Sequence, residues 1–166
     1  ADPPAPAAVS ATAPLLSSLK GEGRMDYPVT AEEVRVRVKA HSTYERGSIP
    51  TRSWGTFRLS HSYPQPDGKP PIVYWGDFKV DCLRTGGPTA TVTGTLVRTN
   101  PGYHPWKGVL DPHFRMGVSF LVLPNGESRI GLSGATAKGK PMLTPCMAPA
   151  SDARVVEGGY TLRDRF

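Results

Sequence analysis

The sequence has little of what most functional signatures require. It holds only two cysteines, Cys82 and Cys146, in 166 residues. That excludes a disulfide-dense mini-protein, and two isolated cysteines lack the C-x-x-C spacing that zinc sites use. No apolar run approaches the roughly 18–20 residues needed to span a bilayer. No heptad pattern is sustained, which argues against a coiled coil. There is no G-x-S-x-G, no Walker loop, no H-E-x-x-H and no G-x-G-x-x-G. Ser, His and Asp occur, but loose triads can be assembled from any chain of this size.

Glycine and proline are plentiful. The 18 Gly and 18 Pro make 36 of 166 residues. That lies just under the roughly 25–30% typical of structureless low-complexity chains, so a folded domain rich in turns is expected. The length suits one domain. A hydrophobic content of 38% and a mean hydropathy of −0.33 suit a soluble protein.

The chain opens ADPPAPAAVSATAP, with no initiator methionine. This reads as the mature start left by signal-peptide cleavage, or a cloning scar before a mature linker. The first residue is Ala1, so no bacterial lipid anchor is expected. A secreted, extracellular protein is the expectation. In such a chain two cysteines favour one disulfide, with two free thiols as the alternative.

Charge is unevenly distributed. The formal net charge is +6. Residues 1–33 carry two basic and five acidic groups, a net of −3, while residues 34–166 carry 18 and nine, a net of +9. A basic exported body suits an anionic cell-wall polymer, a membrane surface, nucleic acid or an acidic partner; the plain alternative is solubility.

Residues 1–33 show no sustained period and read as an extended, flexible Ala/Pro-rich arm. PLLSSLKGEGR suits a helical turn at most, because Gly21 and Gly23 stop it. From residue 34 the pattern alternates, which signals strands. Val34, Val36, Val38 and Ala40 share one face, and Arg35, Arg37, Lys39 and His41 the other. Phe57, Leu59, His61 and Tyr63 form a second inward row. Tyr74, Phe78, Val80 and Cys82 form a third, followed by the turn TGGP at 85–88. Ala90, Val92, Gly94 and Leu96 alternate with threonines, which suit a solvated strand face. Phe114, Met116, Val118, Phe120 and Val122 precede Asn125-Gly126, a strong hairpin signal. A short strand spans about 128–133. Val156, Tyr160 and Leu162 make the last strand, with a bulge expected at Gly158–Gly159. The fold class is therefore all-β: an antiparallel β-barrel of about seven or eight strands, or alternatively a β-sandwich. It occupies residues 34–166 as a single domain.

The stretch GDFKVDCLRTGGPTATVTGTL (76–96) resembles a motif of small secreted β-proteins of actinobacteria. There a Val-x-Cys-Leu strand precedes a glycine turn and an Ala-x-Val-x-Gly strand. FRMGVSFLVLPNGESRIGL (114–132), the lone Cys146 and the closing VVEGGYTL are also similar. The resemblance runs from about residue 34 onward, to a family without an established activity. It implies export, an all-β fold and a Cys82–Cys146 bridge, and adds no catalytic residue.

Hairpin registers gather one candidate site. With TGGP as the turn, Tyr74 faces Arg98; with residues 64–71 as the preceding loop, His61 faces Tyr74 and Tyr63 faces Ile72. His61, Tyr63, Tyr74 and Arg98 then converge at one barrel mouth, a favoured place for ligands. His61 suits acid–base work, Arg98 binding of an anionic oxygen, and the tyrosines hydrogen bonding or stacking. Amphipathic residues closing a rim are the plain alternative. A one-residue register error turns Arg98 outward.

The long loop 99–113 leaves the same end and holds Tyr103, His104, Trp106 and Lys107. Its aromatics suit a sugar or a protein partner, or simply cover the barrel end. His104, Asp111 and His113 have a spacing too irregular for a convincing metal site. The ladder Arg35, Arg37, Lys39 and His41 raises nucleic acid, which is disfavoured because no ordered RNA-binding motif accompanies it.

The expected function is an exported binding protein. It recognises a small anionic or amphipathic ligand, or an extracellular protein partner, through the mouth and loop 99–113. No cofactor and no metal are expected. One alternative is a cofactor-free isomerase, cyclase or hydrolase using His61, Arg98 and Tyr74. Another is a secreted inhibitor or adaptor acting through loop 99–113. The arm, if the first strands pair as a hairpin, leaves from the mouth and can lie across it or add a strand to a neighbouring sheet.

Overall fold

The computed structural model describes residues 13–27, 31–101 and 112–166. Tyr103, His104, Trp106, Lys107 and Asp111 lie outside the described residues. The strands are β1 (Leu15–Met25), β2 (Glu33–Tyr44), β3 (Arg52–Tyr63), β4 (Ile72–Gly86) and β5 (Thr89–Thr99). They continue as β6 (Arg115–Leu121), β7 (Arg129–Leu132) and β8 (Ala153–Arg163). Each pairs antiparallel with the next, and β8 returns to β1, so the sheet closes into a ring. Alternation explains the ring directly. Val34, Val36, Val38, Phe57, Leu59, Phe78, Val92, Val118, Phe120 and Ile130 point inward and are buried. Charged residues alternate outward, the reverse of a transmembrane barrel, whose outer band is apolar.

The segment expected to be an arm contributes a strand. Residues 15–25 form β1, paired with β2 on one side and β8 on the other. Its inward positions are Ser17, Leu19, Gly21, Gly23 and Met25, too few apolar side chains to register as a strand. The two glycines make room for Tyr160. A Cβ on Gly21 would lie 3.0 Å from the Tyr160 ring, and one on Gly23 would lie 3.0 Å from its hydroxyl. Tyr160 packs edge-on to Phe120 and donates a 2.7 Å hydrogen bond to the Val36 carbonyl.

Three bulges correct the expected registers. At Asp81 the pairing shifts, so Leu83 enters the core while Cys82 turns outward. At Val156 the shift puts Val155 inside and leaves Val156 exposed, rather than the reverse. The third lies at Val97, between Leu96 and Arg98. The β4–β5 hairpin turns at Gly87–Pro88, with Gly86 paired to Thr89. Gly87 has φ +64, as the first corner of a type II′ turn requires. Asn125 and Gly126 take φ of 64 and 72 between β6 and β7.

Cys82 and Cys146 form a disulfide with a Cα–Cα distance of 5.4 Å. It fastens residues 133–152 as a strap over the outside of β5, β6 and β7. Cys146 N–H donates to Thr93 Oγ1 at 3.0 Å, and Arg115 Nη1 donates to the Leu143 carbonyl at 2.8 Å. Backbone approaches closely here: a Cβ on Gly117 would fall 2.0 Å from the Met147 carbonyl.

The two ends of the ring differ. One is filled by a polar network: Thr85 N–H donates to Tyr44 Oη at 2.8 Å, Ser17 bonds Thr85 at 2.8 Å, and Arg165 lies 4.4 Å over the Tyr44 ring. The other end, among the described residues, holds a cavity and forms the mouth.

The bridge closes a loop with a sequence separation of 64. The chain-entropy model gives about 4 kcal/mol for such a loop. Replacing both cysteines by serine is therefore expected to lower the melting temperature by roughly 10 °C. Circular dichroism checks this; an unchanged melt would mean that the strap holds without its bond.

Candidate functional site

Strands β3 and β4 deliver the first mouth residues. The observed register pairs His61 with Tyr74 and Tyr63 with Ile72, as the sequence predicted. The Tyr63 and Tyr74 rings meet edge-on at 5.4 Å, and His61 stacks on Tyr63 at 6.2 Å. Below them lies a cavity of about 390 Å³. Its walls are mainly apolar: Leu59, Phe78, Leu96, Phe114, Met116 and Leu132. Phe78 packs on Phe57 at 4.7 Å and edge-on to Phe114 at 5.7 Å, so the floor is built of fixed aromatic rings.

Two further mouth residues come from the stretch read as an arm. Tyr27 lines the cavity, and Glu32 Oε2 lies 3.6 Å from His61 Nδ1. Glu32 was legible in principle, Tyr27 only once β1 is recognised. Glu32 continues the inward parity of Val34 and Val36, and Tyr27 continues that of Gly23 and Met25. His61 Nδ1 is buried and makes no hydrogen bond among the described residues; Glu32 lies beside it at ion-pair rather than hydrogen-bond distance. Burial pushes the Tyr63 phenol pKa up, and the charge of Glu32 adds to it, so Tyr63 is held as a proton donor.

Arg98 is not part of the mouth. Phe78 pairs with Leu96 but Asp77 pairs with Arg98, so Val97 is an extra residue on β5. One inserted residue reverses the alternation. Arg98 therefore points outward, where its side chain is 67% exposed. There it donates to Asp77 Oδ2 at 2.7 Å, while Arg58 donates to Asp77 Oδ1 at 2.6 Å and Oδ2 at 2.9 Å. The Arg58 and Arg98 guanidiniums also lie 3.9 and 5.4 Å from the Trp75 ring centre. The combination of His61, Tyr74 and Arg98 is thus split between two faces of the sheet. Without Arg98 the mouth carries a carboxylate, an imidazole and three phenols, a set suited to hydrogen bonding and poorly suited to an anion.

The loop after β5 is anchored at its start. Asn100 Oδ1 accepts from Trp75 N–H at 3.0 Å. At its return His113 Nδ1 lies 3.1 Å from the Leu96 carbonyl. Among the described residues no group of three or more His, Cys, Asp or Glu side chains is placed to hold a metal ion. Also among them, no helix is long and apolar enough to cross a membrane.

The Asp77 carboxyl pKa is held below its usual range, first by the hydrogen bond from Arg58 and then, against the opposing effect of burial, by that from Arg98. A carboxylate with a depressed folded pKa stabilises the fold above its unfolded pKa of about 3.9 and loses that contribution as pH falls through the folded value. Asp77→Asn is expected to cost on the order of 1 kcal/mol at pH 7, allowing for solvent at Arg98. The gap should stay flat down to about pH 5 and close below about pH 4. Urea unfolding across pH reads it, and a gap unchanged at about pH 2 would rule out Asp77 as the titrating group.

No family model matches the chain, and no curated protein and no solved structure is significantly similar to it.

Proposed function

We propose that this protein is an exported binding protein that takes a small amphipathic molecule into the mouth. The apolar body of the ligand lies against Leu59, Phe78, Leu96, Phe114 and Met116. Its polar head meets His61, Tyr63 and Tyr74 at the rim. The observation that carries this reading is the open apolar cavity of about 390 Å³ with a buried, unbonded His61 nitrogen at its edge. Small-molecule sites are typically of this kind, apolar with a few placed polar groups. A neutral hydroxyl or amide head fits better than an anionic one, because Glu32 sits beside His61. The disulfide supports export, since such bonds persist in oxidising compartments. Catalysis by His61 with Arg98 as charge stabiliser finds no support, because Arg98 serves Asp77 on the outer face. An adaptor role through loop 99–113 depends on residues outside those described.

Paired probes test the reading. Naphthalene and 1-naphthol are expected to bind saturably, with 1-naphthol the tighter. Leu132→Trp, which places a large ring in the cavity, is expected to weaken both at least tenfold while leaving the circular dichroism unchanged. Tyr63→Phe is expected to reduce the preference for 1-naphthol by roughly three- to tenfold, the worth of one hydrogen bond. No saturable binding, or binding indifferent to Leu132→Trp, would overturn the proposal.

A further inference from the structure

The outer face of β1–β5 carries a second feature, independent of the mouth. Outward side chains line up in rows across the strands. In one row Lys20 stands opposite Lys39, which stands opposite Thr56. In the next, Glu22 faces Arg37, Arg37 faces Arg58, Arg58 faces Asp77, and Asp77 faces Arg98. Between these rows lies an open groove of about 860 Å³. Five cations line it, Lys20, Arg37, Lys39, Arg58 and Arg98, against the carboxylates Glu22 and Asp77.

Asp77 is already shared by Arg58 and Arg98. Among the described residues Lys20, Arg37 and Lys39 make no ion pair. Two like-charge pairs, Lys20 with Lys39 and Arg37 with Arg58, therefore stand directly opposite each other. Such pairs destabilise a sheet. Some outward cations are compensated: Arg24 and Arg35 both reach Glu157, at 3.1 and 2.7 Å, and Arg115 reaches Asp81 at 2.6 Å. Arg129 and Arg154, opposite each other on β7 and β8, make no ion pair among the described residues, but they do not line the groove. Five cations against two carboxylates, gathered in one groove with three of the cations unpaired, make it a place for an external anion. The strap, which covers the outside of β5, β6 and β7, leaves this sector bare.

We propose that this groove binds a linear acidic polysaccharide. Same-face residues of one strand are about 6.8 Å apart and neighbouring strands about 4.8 Å, so the cations form a grid that meets several charges of one chain at once. The groove is concave, which a flat bilayer surface does not match. Single-stranded nucleic acid is typically held by stacking its bases on open aromatic faces. The indole rings nearby are engaged: Trp75 by Arg58 and Arg98, and Trp54 by Arg52 at 4.9 Å and His41 at 5.5 Å. Recognition here is by charge and hydrogen bonds, with Lys20, Arg37 and Lys39 meeting sulfate or carboxylate groups and Thr56 a hydroxyl.

The test compares dextran sulfate, polygalacturonate, neutral dextran and single-stranded oligodeoxythymidine on the whole chain. Dextran sulfate or polygalacturonate is expected to bind and to weaken steeply with salt, and the tighter of the two identifies the charged group. Arg37→Gln with Lys39→Gln is expected to cut that affinity at least tenfold. Lys138→Gln with Lys140→Gln, on the strap, removes the same charge and is expected to leave it within twofold. The groove variant is also expected to melt no lower than the native protein, because a repulsion has been relieved. Equal losses in both variants would reduce the effect to net charge and overturn the proposal. Oligodeoxythymidine binding as tightly as the acidic glycans, or no binding of either glycan, would also overturn it.

Discussion

The structure depends on a steric allowance: Gly21 and Gly23 on β1 leave the space that Tyr160 of β8 fills. A side chain at Gly21 would strike the Gly159 carbonyl at 2.2 Å and the Tyr160 Cα at 2.8 Å. With the glycines in place, β1 pairs along its length with β2 and with most of β8. Closure removes the free edges that an open sheet of this length would expose. It also separates an inside from an outside and one end from the other. The ring is closed and one end is filled by Tyr44, Thr85, Ser17 and Arg165, so the described cavity lies at the opposite end.

Bulges then decide which chemistry appears on which side. A strand has a side-chain period of two, so each inserted residue exchanges its faces. At Asp81 the exchange carries Cys82 outward to meet the strap and sends Leu83 into the core. At Val97 it carries Arg98 outward to Asp77. The outcome is an electrostatic partition. At the mouth a partly sheltered carboxylate, Glu32, stands beside an imidazole, while the guanidiniums of Arg58 and Arg98 meet outside at Asp77 and Trp75. A β5 without its bulge would aim Arg98 at the mouth and leave Asp77 to Arg58 alone.

The sequence was legible where alternation is clean and apolar. The rows of β2, β3 and β5, and the pairing of His61 with Tyr74, follow from valines, phenylalanines and one loop length. Legibility failed where the inward row is small or polar. On β1 it contains two glycines and a serine, so the period vanishes and the glycines read as helix stops. It failed again at the bulges. Val97 lies between Leu96 and Arg98 with nothing in its own chemistry to mark an inserted residue. Val155 and Val156 are the same residue type, and only the partner strand decides which is buried. Glu32 lies one step of parity before the valines of β2, ahead of the apparent strand start, and Tyr27, just past β1, went unread with it.

The two faces therefore ask different things of the same strands. Along β3, Phe57, Leu59 and His61 build the cavity while Arg58, between them, faces the groove. Along β4, Phe78 supports the cavity floor while Asp77, its neighbour, anchors two arginines outside. Removing a charge from Arg37 or Lys39 touches only the outer face, since both flank the buried Val38 without sharing its surface. Replacing Phe78 would disturb both, because its ring holds the floor and its backbone holds Asp77 in register with Arg58. That asymmetry follows from the pleat itself, and it makes the outer cations the more freely variable part of the molecule. Their presence as opposed like charges, where glutamate or threonine would relieve the repulsion at no cost to the core, is thus not imposed by folding.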